Sequence, residues 1–189
     1  MYGAILGDII GSPYEFDAGE KTKEFPLFSE NSVWTDDTVM TIAVADAFLT
    51  ADLDASEEAL RQQLEKSIRY YGKKYPKAGY GLRFWKWLHS WHPKPYNSFG
   101  NGSAMRVSSV AWLYNDLESV RKAARISAEV THNHPEMTSP SSPITTATIP
   151  RLKQSKLTAI LPTLRSFRVK RYICPSTTFI TSISAALSA

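Results

Sequence analysis

The stretch VWTDDTVMTIAVADAFL, residues 33–49, joins two adjacent aspartates to a long run of small and apolar residues. Its apolar side chains recur at helical spacing, at Val39, Ile42, Ala43 and Ala47. This period predicts a helix that packs into a core. Asp36 and Asp37 stand at its start, where the helix dipole favours a carboxylate by about 0.3–1 kcal/mol. The pair therefore either caps a helix in water or holds a cation, and this stretch alone leaves both open.

The other patterns within residues 1–136 are also helical, and no β alternation of useful length accompanies them. Helices are predicted over 1–11, 55–71, 81–91, 103–114 and 116–130. Asp54 should cap the second of these, Gly72 should end it, and Asp116 should cap the last. The face formed by Gly3, Gly7 and Gly11 should let another helix approach closely. The predicted fold class is all-α.

Composition places the chain among globular proteins of ordinary size. It has 189 residues, of which 43% are hydrophobic and 12% aromatic, enough for one domain. No apolar run approaches the length that spans a membrane. The first residues lack a basic segment and reach Asp8 early, which argues against a secretory signal. The single cysteine, Cys174, fits a reducing compartment, so a cytoplasmic location is expected.

Charge divides the chain at residue 136. Residues 1–136 hold all 18 acidic and 15 of the 22 basic residues, whereas residues 137–189 hold seven basic residues and no acid. The latter segment also contains 18 Ser or Thr and five Pro. We predict a domain over 1–136 and an atypical basic tail over 137–189, such as an out-of-frame translation would give. Because the tail has no interleaved aromatics and no known motif, nucleic acid is not expected as a partner.

Oxygen donors are concentrated around the paired aspartates. Thr35, Asp36 and Asp37 supply three donors from one turn, and Glu15 lies on another loop. Mg²⁺ prefers carboxylate, hydroxyl and water oxygens in octahedral geometry. The three residues would form half of a binuclear site.

The segment FGNGSAMR, residues 99–106, brackets Asn101 with Gly100 and Gly102 and continues through Ser103 into a predicted helix. Such a loop exposes backbone N–H groups and binds phosphate well, although an ordinary glycine-rich turn has the same composition. Arg106 is interpreted as an ion-pair partner in preference to a phosphate contact.

The segment THNHPE, residues 131–136, carries His132 and His134. Two histidines at this spacing can ligate zinc, but no cysteine or suitably spaced third histidine accompanies them. A histidine that hydrogen-bonds a substrate and a plain loop residue both remain open.

Four motifs in this order resemble the ADP-ribosylglycohydrolase family, which includes the dinitrogenase reductase-activating glycohydrolase. They are GAILGDIIGSPYE (3–15), WTDDTVM (34–40), GNGSAMRVSSVAWL (100–113) and THNHPE (131–136). The resemblance implies an all-α, orthogonally packed helical fold with two Mg²⁺ (or Mn²⁺) ions. It also implies hydrolysis of the glycosidic bond in an ADP-ribosylated protein or a small ADP-ribose compound.

The same resemblance implies roles for individual residues. Metal ligands would be Thr35, Asp36 and Asp37, and Glu15 would orient or deprotonate water beside Asp36. The substrate would be bound by Gly100, Asn101, Gly102, Ser103 and His132.

The chain also departs from the family pattern. Family members close the metal site with a late D-x-D-[S/T] segment, and no aspartate follows Glu136 here. The expected consequence is a truncated bundle that binds Mg²⁺ weakly and hydrolyses little by itself. The alternative function is an inactive fragment that binds ADP-ribose.

Overall fold

A computed structural model describes residues 1–17, 24–52 and 55–135. These residues form helices and connecting loops and contain no strand, which confirms the all-α prediction for this part of the chain. The α-helices are α1 (Tyr2–Gly11), α2 (Asp36–Thr50), α3 (Glu57–Lys74), α4 (Leu82–His89) and α5 (Leu117–Glu129). Short 3₁₀ segments cover Ser12–Asp17, Asn101–Ser103 and Val107–Trp112.

Helix α2 lies at the centre of the packing. It contacts α1, α3 and the 3₁₀ segment Val107–Trp112, so it is covered on several sides. Small residues make this possible, because Ala43 and Ala47 are fully buried and let neighbouring elements approach the α2 backbone. The larger buried side chains of α2 that fill the surrounding core are Val39, Met40, Val44 and Phe48.

Helix α3 confirms its predicted apolar face but not its predicted ends. Leu60, Leu64, Ile68 and Tyr71 are buried. The N-cap is Ser56, whose hydroxyl accepts from Ala59 N at 3.2 Å; Asp54 lies outside the described residues. Gly72 does not end the helix, which continues to Lys74.

Gly72 has a packing role instead. A Cβ built on it would lie 2.6 Å from Cδ2 and 2.8 Å from Cδ1 of Leu88, a fully buried residue of α4. The glycine therefore lets α4 pack against the backbone of α3. Close helix packing, and not termination of α3, explains the glycine at position 72.

The predicted close contact of another helix with the glycine face of α1 is wrong for the described residues. A Cβ built on Gly3, Gly7 or Gly11 would meet no atom within 4 Å. Helix α1 packs on α2 through a different face, which carries the buried Ile5 and Asp8.

Helix α4 is shorter than its apolar pattern predicts. Trp87 and Leu88 are buried and Phe84 is half-buried, as expected. The helix ends at His89, where Ser90 N donates to the Trp87 carbonyl. Trp91 is therefore outside it, and 93% of its surface is exposed.

The predicted helix over 103–114 forms only as 3₁₀ turns. Arg106 lies between the two 3₁₀ segments and is 1% exposed. Its Nη2 donates to the Ser127 carbonyl at 2.7 Å and to Thr131 Oγ1 at 2.9 Å. Arg106 thus binds neutral acceptors of α5 and the following turn, and the predicted ion pair does not form among the described residues.

Helix α5 begins where predicted, after Asp116, whose carboxylate accepts from Ser119 N at 2.7 Å. In the described ranges no helix has the length and apolar character needed to cross a membrane. The predicted tail, residues 137–189, lies outside the described residues.

We expect Gly72→Ala to lower the free energy of unfolding by about 1 kcal/mol, measured by urea denaturation. The new methyl group overpacks Leu88 at a cost of about 1–3 kcal/mol, of which the better helix propensity of alanine recovers about 1 kcal/mol. Gly7→Ala is the matched control, since its methyl group meets no neighbour and should not destabilise. If both variants match the wild type, the close packing of α3 and α4 is refuted.

Candidate active site

The carboxylate of Asp8 joins helix α1 to the start of α2. Its Oδ2 accepts from Thr35 N at 2.8 Å and from Thr38 N at 3.0 Å, and its Oδ1 accepts from Thr35 Oγ1 at 2.6 Å. Asp8 is 7% exposed, so these bonds replace the water that it loses on burial. Asp8 therefore has a structural role, as the acceptor that joins α1 to the start of α2.

Thr35 is the N-cap of α2. Its Oγ1 accepts from Asp37 N at 3.4 Å while its hydroxyl hydrogen is donated to Asp8. A hydroxyl has two lone pairs, so one remains for a further partner. Helix capping and cation binding are therefore compatible at Thr35, and the two readings of the opening stretch do not exclude each other.

Asp36 and Asp37, the first two residues of α2, are half-buried beside other acids. Burial raises the pKa of Asp36 to about 7, and repulsion from Asp37, Glu15 and Asp8 adds to this shift. Burial also raises the pKa of Asp37 to about 6, with repulsion from Asp8 and Glu15. Both carboxylates are therefore destabilised as anions at neutral pH.

Glu15 reaches the same electrostatic environment from the turn after α1. Its backbone is extended (φ −72°, ψ 159°), and the next residue, Phe16, is left-handed with φ 52°. Burial and repulsion from Asp8 raise the pKa of the Glu15 carboxyl. Glu15 in turn contributes to the shifts of Asp36 and Asp37, so the predicted residues act on one another through space.

The donor chemistry of this acidic group fits part of a site for a hard cation. Thr35, Asp36 and Asp37 offer hydroxyl and carboxylate oxygens, and a cation would relieve the repulsion that raises their pKa values. Within residues 1–17, 24–52 and 55–135, however, no three His, Cys, Asp or Glu side chains are grouped so as to hold a metal ion. Cation binding by these residues remains a prediction.

Two residues beside Asp36 were not identified from the sequence. Gly79 has φ +100°, and a Cβ on it would lie 3.7 Å from Oδ1 of Asp36. Tyr80 is half-buried, and its hydroxyl has no hydrogen-bond partner among the described residues. Burial, and then repulsion from Asp36, raises the pKa of Tyr80. The sequence signal that could have identified Gly79 and Tyr80 is their position in the loop after α3.

The glycine-rich loop and His132 are in contact. A Cβ on Gly102 would lie 3.2 Å from Cε1 and 3.3 Å from Nε2 of His132. Ser103 is fully buried, and its hydroxyl has no partner among the described residues; Gly100 and Asn101 are exposed at the surface. The structure thus brings together the four loop residues and the histidine, while their predicted role in substrate binding stays untested.

His132 is held as a neutral imidazole. It is 2% exposed, and its Nδ1 lies 2.6 Å from Thr131 Oγ1. Burial, followed by the positive charges of Arg106 and Arg83, lowers the pKa of His132 to about 3. Tyr96, which was not identified from the sequence, packs on it with ring centroids 5.9 Å apart.

Comparison with protein families gives a match over most of the chain. The model for the family described as ADP-ribosylglycohydrolase matches residues 1–173. The match contains all the site residues described above and extends past residue 136, where the predicted domain ends.

Curated relatives share part of their length with this chain. ADP-ribosylhydrolase ARH3 of Homo sapiens is 32% identical over 168 residues, which cover 70% of this chain and 43% of that protein. The protein of the same name from Mus musculus is 31% identical over 162 residues, with 70% and 42% covered. The Gallus gallus protein is 29% identical over 164 residues, with 70% and 43% covered. The chain therefore spans less than half the length of these relatives.

We expect Asp8→Ala to lower the free energy of unfolding by about 2 kcal/mol, because it leaves three donors at the start of α2 without their acceptor. Part of the loss is offset by weaker repulsion on Asp37. Asp46→Ala is the control on the same helix, since Asp46 accepts one bond, from Ser67 Oγ at 2.9 Å. Equal losses in the two variants, measured by urea denaturation, would contradict a special role for Asp8.

The pH dependence of stability should reveal the strained carboxylate of Asp36. Its folded pKa is raised, so its contribution to stability is full below about pH 4 and is lost as pH rises towards 7. Asp36→Asn should therefore stabilise the protein relative to wild type by an amount that grows between pH 4 and pH 7.5. After allowance for solvent screening, we expect on the order of 1–2 kcal/mol.

Urea denaturation in EDTA at both pH values measures this effect. Asp116→Asn is the control, because hydrogen bonding from the Ser119 backbone lowers the pKa of Asp116, so that its contribution to stability is already nearly complete at pH 4. Its stability relative to wild type should therefore stay nearly constant between pH 4 and pH 7.5. A constant difference between Asp36→Asn and wild type would refute the raised pKa.

Proposed function

The chain belongs to the ADP-ribosylglycohydrolase family, and on this premise we propose that it contributes one side of an active site that hydrolyses the glycosidic bond of ADP-ribosylated substrates. The observation that carries the proposal is the acidic group at the start of α2. Three carboxylates with raised pKa values, those of Glu15, Asp36 and Asp37, act on one another there. Such perturbed groups are typical of functional sites.

Thr35, Asp36 and Asp37 would hold Mg²⁺ or Mn²⁺. When bound, such an ion orients ribose hydroxyls and lowers the pKa of a coordinated water. The protein's part is to keep the three oxygen donors at one helix start, which the bonds between Asp8 and Thr35 do. The carboxylates of Asp36 and Asp37 take no part in those bonds.

Glu15 is the proposed general base. Its extended backbone follows the end of α1, so its side chain is placed by a turn and not by the helix that carries the aspartates. Burial raises its pKa, which brings the carboxylate closer to the range in which it can take a proton from water at neutral pH. Cleavage would pass through an oxocarbenium-like state at the anomeric carbon, which neighbouring carboxylates stabilise.

Gly100, Asn101, Gly102 and Ser103 would receive the ADP-ribose phosphates and ribose. The buried Ser103 hydroxyl is without a partner among the described residues, so it is free to bond a ligand. His132 lies behind Gly102 as a neutral imidazole, so it can offer a hydrogen bond without adding charge. A bulky side chain at Gly102 would displace the ring.

A second function is favoured by one observation from the sequence. Residues 137–189 contain no aspartate, so they do not supply the late acidic segment by which the family pattern completes the metal site. The alternative is therefore binding of ADP-ribose without turnover. Both functions need the glycine-rich loop to bind ADP-ribose, whereas only hydrolysis needs the acidic group of Glu15, Asp36 and Asp37.

The test is release of ADP-ribose from an ADP-ribosylated protein at millimolar Mg²⁺, with titration calorimetry of ADP-ribose alongside. If hydrolysis is the function, Asp36→Asn/Asp37→Asn should lower the rate at least about 100-fold, because loss of even an outer-shell partner of a metal ligand costs about 10–100-fold. Asp46→Asn, on the same helix, is the control and should retain the rate. Binding with no release by wild type would support the alternative, and neither binding nor release would overturn both.

A further inference from the structure

Residues 66–115 form a run of 50 residues without a single Asp or Glu. The run contains nine Lys or Arg residues and spans the second half of α3, all of α4 and the glycine-rich loop. All acidic residues of the described chain therefore lie outside it. A surface with charges of one sign attracts ligands of the opposite sign and raises their local concentration.

An open cavity of about 400 Å³ lies on this run, between α4 and the segment that follows it. Its lining residues include three cations and none that is acidic; they are Arg83, Lys86, Trp87, Ser90, Pro93, Lys94 and Tyr96. Side chains of α4 and of the segment after it therefore surround this cavity with positive charge and two hydroxyl-bearing side chains. Its size suits a phosphate or pyrophosphate group with its water.

Arg83 is held in position at this cavity. Its Nη2 donates to the Tyr96 carbonyl, and its guanidinium carbon lies 5.1 Å from the centroid of the Tyr96 ring. A guanidinium carries five N–H donors in a fixed fork. One carbonyl and one ring face orient the group and leave further donors for a ligand, so little conformational entropy is lost on binding.

Trp87 adds an independent sign of a missing acceptor. It lines the cavity and is 4% exposed, and its Nε1–H has no hydrogen-bond partner among the described residues. A buried donor without an acceptor is rare in native proteins and calls for an explanation. The Nε1 atom itself is inaccessible to solvent, so a phosphate oxygen in the cavity would accept from it only after a small shift of the indole ring or its neighbours.

We propose that the cavity of Arg83, Lys86, Lys94 and Trp87 is an anion-binding site that takes a phosphate or pyrophosphate group. The site is separate from the acidic group of α2 and from the glycine-rich loop. It borders the latter through Tyr96, which packs on His132. The proposal concerns binding alone and does not depend on hydrolysis by this chain.

The experiment titrates the full chain with inorganic pyrophosphate in EDTA by calorimetry. Lys86→Gln/Lys94→Gln should weaken the affinity about tenfold, since each exposed ammonium contributes a few-fold. Lys66→Gln/Lys73→Gln, on the outer face of α3, removes the same charge and should change the affinity less than twofold. Both pairs are exposed at the surface, and circular dichroism checks that each double variant is folded.

Trp87→Phe tests the buried donor and keeps the ring packing. It should weaken pyrophosphate binding severalfold, measured by the same calorimetry. Unchanged affinity in Lys86→Gln/Lys94→Gln would overturn the proposal. Equal weakening in the two lysine pairs would also overturn it, because it would show a response to net charge only.

The phosphate can come from two sources, and ADP-ribose distinguishes them. If Lys86→Gln/Lys94→Gln also weakens ADP-ribose binding, the cavity takes a phosphate of the nucleotide. If ADP-ribose binds that variant normally and does not compete with pyrophosphate, the cavity takes a separate phosphate group. If the wild type binds pyrophosphate but releases no ADP-ribose, the proposed hydrolysis is contradicted and the proposed anion site is not.

Discussion

The carboxylate of Asp8 is the constraint on which the described site depends. It accepts hydrogen bonds from two backbone N–H groups and one hydroxyl at the start of α2. The first backbone N–H groups of a helix have no partner within the helix, so this acceptor supplies one. Because the acceptor belongs to α1, the cap is also a joint between two helices. The turn that follows α1 carries Glu15, so the same joint brings that side chain near Asp36. One buried charge thereby fixes both the fold and the relative position of the acids.

This arrangement is unfavourable for the protein without ligand. A helix dipole stabilises a carboxylate by about 0.3–1 kcal/mol, which is less than burial and mutual repulsion cost when pKa values rise to about 7 and about 6. Hydrogen bonds compensate the burial of Asp8. At Asp36 and Asp37, the helix dipole stabilises the carboxylates by less than burial and repulsion destabilise them. Conflict between local stability and a neighbouring charge is expected at sites kept for function. This cost supports the proposal that the acids hold a ligand, because the helix that they begin does not offset it.

The sequence predicts the elements whose signals are local and misses those that depend on distant contacts. Helices α2 and α5 begin as predicted because their caps, Thr35 and Asp116, act within one turn. The stretch around Arg106 has a helical pattern but forms 3₁₀ turns, since its guanidinium bonds groups 21 and 25 residues away. Glycine is a residue that often ends a helix, but Gly72 instead allows close packing against Leu88. In the site, paired aspartates are visible as a motif, whereas Gly79 and Tyr80 reach Asp36 only through folding.

The described surface has two regions of opposite charge, and their separation bears on how an ADP-ribose ligand would be oriented. An acidic group at the start of α2 repels phosphates unless a cation neutralises it, whereas the acid-free run around α4 attracts them. The glycine-rich loop belongs to the second region and presents no charge of its own. His132, kept neutral by burial between Arg106 and Arg83, adds a hydrogen-bonding group there without altering the field. Phosphates would therefore be drawn to the loop, and the sugar bond would be left to face the acids. Before a cation binds, charge alone would then set the direction of the substrate ahead of any specific contact.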